Sequence, residues 1–352
     1  MLIGNREIGT NSPTYFIADI AANHDGDLGR AKDLIFTAAE SGADAAKFQH
    51  FQAATIVSDF GFRSLGSQKS HQANWGKSVF EVYRDASVDL EWTSELATTC
   101  QRAGIDFFST PYSLEVVDHL DPLVPAYKIG SGDITWFELI EKIAKRGKPY
   151  FIAAGASSLA EVVDAVDMAV SINSNCCLMQ CNTNYTASLE NFKYIHLRVL
   201  ETFKTLFPDI VLGLSDHTPG HATVLGAITL GARVVEKHFT DDVKRDGPDH
   251  AFSMDPKTWR DMVDRSRELE HALGQGQKKV EENELETVVL QRRAVRCRKS
   301  KRQGDLISRS DFDVLRPCPL DALSPRSLSA LDGKRLSRNI EEGDYLRVGD
   351  VY

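Results

Sequence analysis

Short apolar runs alternate along this chain with stretches whose apolar residues recur every three or four positions. The first run covers residues 15–20, and behind it Leu28, Ala31, Leu34, Ile35 and Ala38 share one face of a predicted helix. Further strand-like runs lie at 44–48, 106–109, 126–129, 150–153, 178–181, 210–214 and 234–238. Helical patterns separate them, for example at 138–146 and 159–170, and a last one covers 256–273. A polar stretch over 51–89 interrupts this rhythm and reads as a long loop with a short helix at 79–84. Strands alternating with helices imply parallel βαβ units. Eight such units in about 260 residues favour a closed (β/α)₈ TIM barrel. The alternative, an open doubly wound sheet, usually carries a glycine-rich nucleotide turn after its first strand, and Asn23-His24-Asp25-Gly26 is not that turn.

The rhythm stops at Gly274-Gln275-Gly276, and a charged connector follows. Beyond it, short apolar fragments are separated by the turns Gln303-Gly304-Asp305 and Glu342-Gly343-Asp344. The expected organisation is therefore a barrel over 1–273, a linker over 274–287 and a small, mostly β domain over 288–352. That last piece is near the lower limit for independent folding. The 352-residue length accommodates both parts, and 42% hydrophobic with 26% charged residues fits a globular chain. No run approaches the roughly 18 apolar residues of a membrane span, and residues 1–10 lack the basic start and apolar core of a secretory signal. A cytoplasmic protein with no membrane partner is expected. The net charge of −9 argues against a nucleic-acid surface, and the basic stretch 292–302 reads as a solvated face. None of the six cysteines forms a Cys-x-x-Cys pair, and Cys177 and Cys181 read as small buried hydrophobes of a reducing compartment.

In barrels of this type the active site gathers at the C-terminal ends of the strands. The polar residues there are Asp19, Asn23-His24, Lys47, Gln49, Ser109-Thr110, Lys128, Ser131, Asp133, residues 182–185, Ser215-Asp216-His217 and Glu236-Lys237-His238. Only the fifth strand, at Ala153-Ala154-Gly155, ends in small residues. Lys47 and Lys128 sit inside apolar strands, where a bare ammonium is costly to bury. A lysine snorkelling to the barrel mouth is the bland explanation. Two of them, with the hydroxyls of Thr110, Ser131 and Ser215, suggest a site for a dianion such as phosphate. Lys237, alternating with Glu236 and His238, is expected to point the other way. A lone strand-end histidine is more often structural. His217 and His238 end neighbouring strands, flanked by Asp216 and Glu236, and such imidazoles can share a divalent metal. Asp19 and Glu236 are candidates for holding a water on that metal or for acting as base. Spacing alone makes Gly247-Pro248-Asp249-His250 a turn with a solvated Asp249.

Taken in order, these segments resemble the sialic acid (N-acetylneuraminate) synthases. The resemblance lies in Ile17-Ala18-Asp19, Asn23-His24-Asp25-Gly26, residues 43–49, Ser109-Thr110-Pro111 and residues 127–133. Ser215-Asp216-His217-Thr218, Glu236-Lys237-His238-Phe239-Thr240 and Gly247-Pro248-Asp249-His250 are the most specific matches. The tail resembles the antifreeze-like (SAF) domain of these enzymes through Leu315-Arg316-Pro317 and its Gly-Asp turns. The resemblance implies that phosphoenolpyruvate attacks the aldehyde of an N-acetylated amino sugar through its C3. Water then adds at C2 and phosphate leaves by C–O cleavage. It implies that His217 and His238 bind a divalent metal, Mn²⁺ first, with Mg²⁺ or Co²⁺ as substitutes, and that the metal polarises the aldehyde. Lys47, Thr110, Lys128, Ser131, Thr183 and Ser215 are then expected to hold phosphoenolpyruvate. Gln49, Asp133, Tyr185 and Asp249 are expected at the sugar, with Arg316 reaching its N-acetyl group from the other chain of a domain-swapped homodimer. Asp19, Glu236 and Lys128 carry the catalytic expectation. N-acetylmannosamine is the first acceptor by this reading, and a 2,4-diacetamido hexose or N-acetylmannosamine 6-phosphate are alternatives. Synthases of 3-deoxy sugar acids share the barrel but not the tail. A non-catalytic sugar-binding barrel is the alternative of a different class, weakened by the presence of both lysines and both histidines.

Overall fold

The computed structural model describes residues 1–65, 76–185 and 188–352. An N-terminal hairpin pairs β1 (Leu2–Ile3) with β2 (Arg6–Glu7). Eight parallel strands follow: β3 (Tyr15–Asp19), β4 (Ala45–His50), β5 (Asp106–Pro111), β6 (Tyr127–Ile129), β7 (Tyr150–Ala153), β8 (Cys176–Cys181), β9 (Val211–Asp216) and β10 (Val234–His238). They pair in sequence order and close through β10 against β3, a barrel with its helices outside. The eight strand-like runs of the sequence are these eight strands, with no end shifted by more than two residues.

Period-two alternation sorts each strand's side chains. In β3, Phe16 and Ala18 pack outward with the helices, while Tyr15 and Ile17 point inward. The same phase that buries Tyr15 and Ile17 carries Asp19 inward one step higher. In β10, Val234 lies in the interior cluster and Val235 in the outer one, so Glu236 and His238 face in and Lys237 faces out. The lower barrel is dry: Tyr15, Ile17, Ala45, Phe108, Phe151, Cys177, Met179 and Val234 fill it together with Ile3 and Ile8 of the hairpin segment. The polar residues all lie above this plug, which raises the site to the strand ends.

The outer helices form where the pattern predicts. Helix Leu28–Glu40 starts on an Asp27 side chain that accepts the Arg30 N–H, and it buries Ala31, Leu34, Ile35 and Ala38. Residues 51–89 are corrected in part. The expected short helix is present as Val79–Ala86, opened by a Ser78–Glu81 capping box, but the expected loop also holds helices Ala53–Ile56 and Asp59–Ser64. Its middle, 66–75, lies outside the described residues. No helix among the described residues is long and apolar enough to cross a membrane.

The chain divides into two compact units, Met1–Gly274 and Gln275–Tyr352. The second takes in most of the expected linker, where helix Leu285–Gln291 forms. It then pairs β11 (Ala294–Cys297) antiparallel with β12 (Phe312–Leu315) over a core that includes Val295, Ile307, Phe312, Leu336, Ile340 and Leu346. Isolated bridges such as Lys301–Ile340 and Leu306–Arg335 complete an irregular β unit. All six cysteines are free.

Candidate active site

A cavity of about 410 Å³ opens at the C-terminal ends of the barrel strands. Its wall includes Asp19, Lys47, Gln49, Thr110, Lys128, Ser131, Asp133, Tyr185, Ser215, His217, Glu236, His238 and Asp249. Of the site residues expected from sequence, two are not in this wall. Thr183 lies beside Gly155, toward which its methyl points. Arg316 belongs to the second unit, where its Nε donates to the Gln291 carbonyl at 2.8 Å and the side chain is exposed.

Two lysines and two carboxylates organise the floor, all at most 6% exposed. Lys47 Nζ donates to Asp19 Oδ2 at 2.6 Å and stands 3.6 Å from Glu236 Oε1. Lys128 Nζ reaches the same Glu236 oxygen at 3.5 Å. Burial alone lowers the Lys47 pKa, but Asp19 and Glu236 outweigh it and leave the pKa raised, so the ammonium stays charged. Hydroxyls ring the two cations: Thr110 Oγ1 is 3.4 Å from Lys47 Nζ, and Ser215 Oγ donates to Glu236 Oε1 at 3.3 Å. Glu236 Oε2 is buried without a hydrogen-bond partner. Both ammonium groups thus face the Glu236 carboxylate, and Lys128 Nζ also donates to the Ile129 carbonyl at 3.4 Å.

Asp19 is itself held in place. Its Oδ2 also accepts Gln49 Nε2 at 2.9 Å, and its Oδ1 accepts the Ala21 N–H at 3.1 Å. His238 Nε2 lies 3.6 Å from the same Oδ2, so lysine, amide and imidazole converge on one oxygen. At the neighbouring ends of β9 and β10, the His217 and His238 ring centroids stand 5.4 Å apart. His217 Nδ1 donates to the Asn182 carbonyl at 2.9 Å, which leaves Nε2 as the nitrogen with a lone pair. Burial lowers both histidine pKa values, and for His238 the neighbouring His217 and Lys47 add to this, so both rings are neutral. His238 Nδ1 is buried without a hydrogen-bond partner. Asp216, which flanks His217 in the sequence, faces away from the cavity and pairs with Lys237.

Two more carboxyls face the cavity. Asp133 follows β6 in a tight 3₁₀ turn, Ser131–Asp133, and its Oδ2 has no hydrogen-bond partner. Burial lifts its pKa to about 6. Asp249 is not the solvated turn residue that spacing suggests. It is half-buried, its Oδ2 accepts the Ala22 N–H at 3.1 Å, and desolvation lifts its pKa to about 7. The loop that carries it is latched by His250, whose Nε2 meets Asp25 Oδ1 at 2.9 Å and whose Nδ1 meets Thr240 Oγ1 at 2.7 Å. Asn23 Nδ2 donates to the Phe239 carbonyl and to Ser253 Oγ, both at 2.9 Å, so Asn23 ties down the first loop instead of facing the cavity. Ser109 likewise faces outward, toward His50.

Several lining residues escaped the sequence reading. Tyr112 and Cys181 continue the inward phase of β5 and β8, and that periodicity is the signal that reveals them. Gly155, which does not line the cavity, continues β7 in the same way and braces the wall, its N–H donating to Ser131 Oγ at 3.1 Å. Phe51, Ile56, Val82, Tyr83 and Ala86 come from the segment after β4, much of it helical, and no strand-end rule points to them.

Fold and constellation together define a barrel protein whose strand-end cavity sets two buried ammonium groups beside two neutral imidazoles. The chain belongs to the NeuB family, whose model matches residues 34–278. It is 34% identical over 349 residues to the N,N'-diacetyllegionaminic acid synthase of Legionella pneumophila, covering 97% of this chain and 96% of that one. It is 35% identical over 274 residues to the N-acetylneuraminate-9-phosphate synthase of Mus musculus, covering 78% and 75% of the two chains. Among solved structures it is similar to the N-acetylneuraminic acid (sialic acid) synthetase from Leptospira borgpetersenii serovar Hardjo-bovis in complex with citrate. That match has a TM-score of 0.71 at 28% identity over 82% of this chain and 94% of that chain.

Proposed function

We propose that this chain is a sialic-acid-type synthase. It condenses phosphoenolpyruvate, an N-acetylated amino sugar and water to a nine-carbon 2-keto sugar acid and phosphate. The observation that carries this reading is the convergence of Lys47 and Lys128 on Glu236 Oε1, at 3.6 and 3.5 Å, in a family whose named members are synthases of such acids. Phosphoenolpyruvate takes over both ammonium groups, and Thr110, Ser131 and Ser215 add hydroxyl donors around its phosphate. Ser131 is held in the cavity wall for this by the Gly155 N–H, which its oxygen accepts. Asp19 Oδ2, beside Lys47 and His238, takes a proton from the water that adds at C2.

His217 and His238 fit a divalent ion. Both rings are neutral, His217 keeps a lone pair on Nε2, and the buried Nδ1 of His238 has no hydrogen-bond partner. No group of three or more His, Cys, Asp or Glu placed to hold a metal ion occurs among the described residues, so water and substrate would complete the ligand set. Mn²⁺ is the ion proposed, with Mg²⁺ or Co²⁺ able to replace it. When bound, such an ion supplies Lewis-acid polarisation of the acceptor aldehyde.

The acceptor lies toward Gln49, Asp133, Tyr185 and Asp249, beneath Phe51, Ile56 and Val82. Two carboxyls and an apolar wall favour an unphosphorylated acceptor, N-acetylmannosamine first. A 2,4-diacetamido hexose is the second reading, favoured by the near full-length match to the Legionella synthase. Arg316 is proposed to reach the acceptor from the other chain of a homodimer. The experiment offers Mn²⁺-loaded protein phosphoenolpyruvate with N-acetylmannosamine, its 6-phosphate or a 2,4-diacetamido hexose, and detects phosphate and the keto acid. Release with one neutral acceptor, abolished by chelator, is expected. No product with any acceptor would reject the proposal.

A further inference from the structure

Behind the two histidines, on the outer face of the barrel, lies an ion pair that does not line the cavity. Lys237 and Asp216 are register partners on β10 and β9, their side chains 1% and 0% exposed, and Lys237 Nζ donates to Asp216 Oδ2. The same ammonium donates to the Thr218 carbonyl at 2.5 Å. Asp216 Oδ2 also accepts the hydroxyls of Thr218 and Thr223, each at 2.8 Å. Its Oδ1 accepts the Thr218 N–H at 3.3 Å. These bonds close around His217. The residue before it, the residue after it and Thr223 of helix Ala222–Thr229 are fastened together, and the lysine among them directly precedes His238.

Stability is a poor reason to keep such a pair. Desolvating two charges costs several kcal/mol per ion, and well-packed apolar replacements are often neutral or stabilising. An apolar pair would not, however, fix the backbone on both sides of His217 relative to His238. We propose that Lys237 and Asp216 are positioning residues that set the His217–His238 spacing at which the two imidazoles share one divalent ion. The inference rests on the metal reading of that histidine pair. Neither residue touches ion or substrate; each acts through the histidine that follows it. Outer-shell partners of metal ligands typically carry about 10–100-fold of affinity.

The test is titration of the full-length protein with Mn²⁺ alone, following the free ion by its paramagnetic resonance. Four proteins are compared: wild type, His217→Ala, Thr223→Val and the double variant Lys237→Met/Asp216→Leu, which leaves neither charge buried alone. The expected result is a Mn²⁺ site in wild type that His217→Ala abolishes. The double variant, folded by circular dichroism, should bind Mn²⁺ about 10–100-fold more weakly while retaining phosphoenolpyruvate affinity. A folded double variant with wild-type Mn²⁺ affinity overturns the proposal and leaves the metal site standing. Equal Mn²⁺ binding by wild type and His217→Ala overturns the metal reading and the proposal with it. Should the double variant not fold, Thr223→Val decides, since it removes one anchor of Asp216 and no charge. Weakened Mn²⁺ binding then supports the proposal, and unchanged binding overturns it.

Discussion

Lys47 and Asp19 share a 2.6 Å hydrogen bond with both side chains 2% exposed, so neither tolerates loss of the other. Lys47→Met leaves a buried carboxylate without its closest cation and is expected to destabilise the fold by about 3–5 kcal/mol, read as a shift in denaturant midpoint. Adding Asp19→Asn removes the orphaned charge and should recover part of that loss without restoring activity. A single variant as stable as wild type would show that the pair is not buried in solution. Gly155 makes a second case. A Cβ there would meet Thr183 Cγ2 at 2.6 Å, Ser131 Oγ at 2.8 Å and Cys181 Sγ at 3.1 Å. Gly155→Ala should therefore cost about 1–3 kcal/mol of stability and raise the KM for phosphoenolpyruvate more than that for the sugar. Equal KM changes would count against a phosphate cradle at Ser131. Charged and polar residues on strands were readable one by one, because an ammonium inside an apolar run needs an explanation. Gly155 and Cys181 were not, since small residues give the same pattern whether they fill a core or make room for a ligand.

At the scale of elements, short apolar runs between helical patterns placed the eight strands, and strand-end position drew most of the site residues. The segment after β4 escaped that logic. Helix Ala53–Ile56 is too short to show periodicity, and although a short helix was legible near Val79–Ala86, nothing in it signalled that Val82, Tyr83 and Ala86 wall the cavity. Tyr83→Ala is expected to raise the KM for the acceptor several-fold and to change phosphoenolpyruvate affinity little. The reverse split would place the two substrates the other way round. The outer face of β4 makes a different prediction. His50 is buried between Ser109 Oγ at 2.6 Å and Thr93 Oγ1 at 2.9 Å, linking β4, β5 and helix Thr93–Ala103. Burial lowers its pKa to about 3, and that of His24 to about 4, from an unfolded value of about 6.5. Below pH about 6.5 the unfolded chain takes up protons that the folded one refuses, so this contribution is intact above that pH and is lost as pH falls toward about 4 and then about 3. The denaturant midpoint should drop on going from pH about 7 to about 5, and less steeply in His50→Gln. A wild-type midpoint that does not move over that range would contradict the buried, neutral histidines.

For the whole molecule, the order of motifs along the chain was more informative than any one of them. Joint order pointed to the family, and the family model with its relatives bears that out. Sequence could not show that the apolar plug under the site includes Ile3 and Ile8, because a two-residue hairpin leaves no periodic trace. Arg316 belongs to the same scale, since its proposed role needs a second chain. If that role holds, mixing an Arg316→Ala chain with a His217→Ala chain should restore activity that neither has alone. One composite site in a mixed dimer would then be intact, and activity of mixtures shows it. No recovery, from chains shown to exchange, would assign Arg316 elsewhere. The central claim is a condensation at the Lys47–Lys128–Glu236 floor, and acceptor dependence tests it most directly. Phosphate release from phosphoenolpyruvate should require a neutral N-acetylated amino sugar, match the keto acid mole for mole and vanish in Lys128→Met. Phosphate released at the same rate without any sugar, or none released with every sugar, would contradict it.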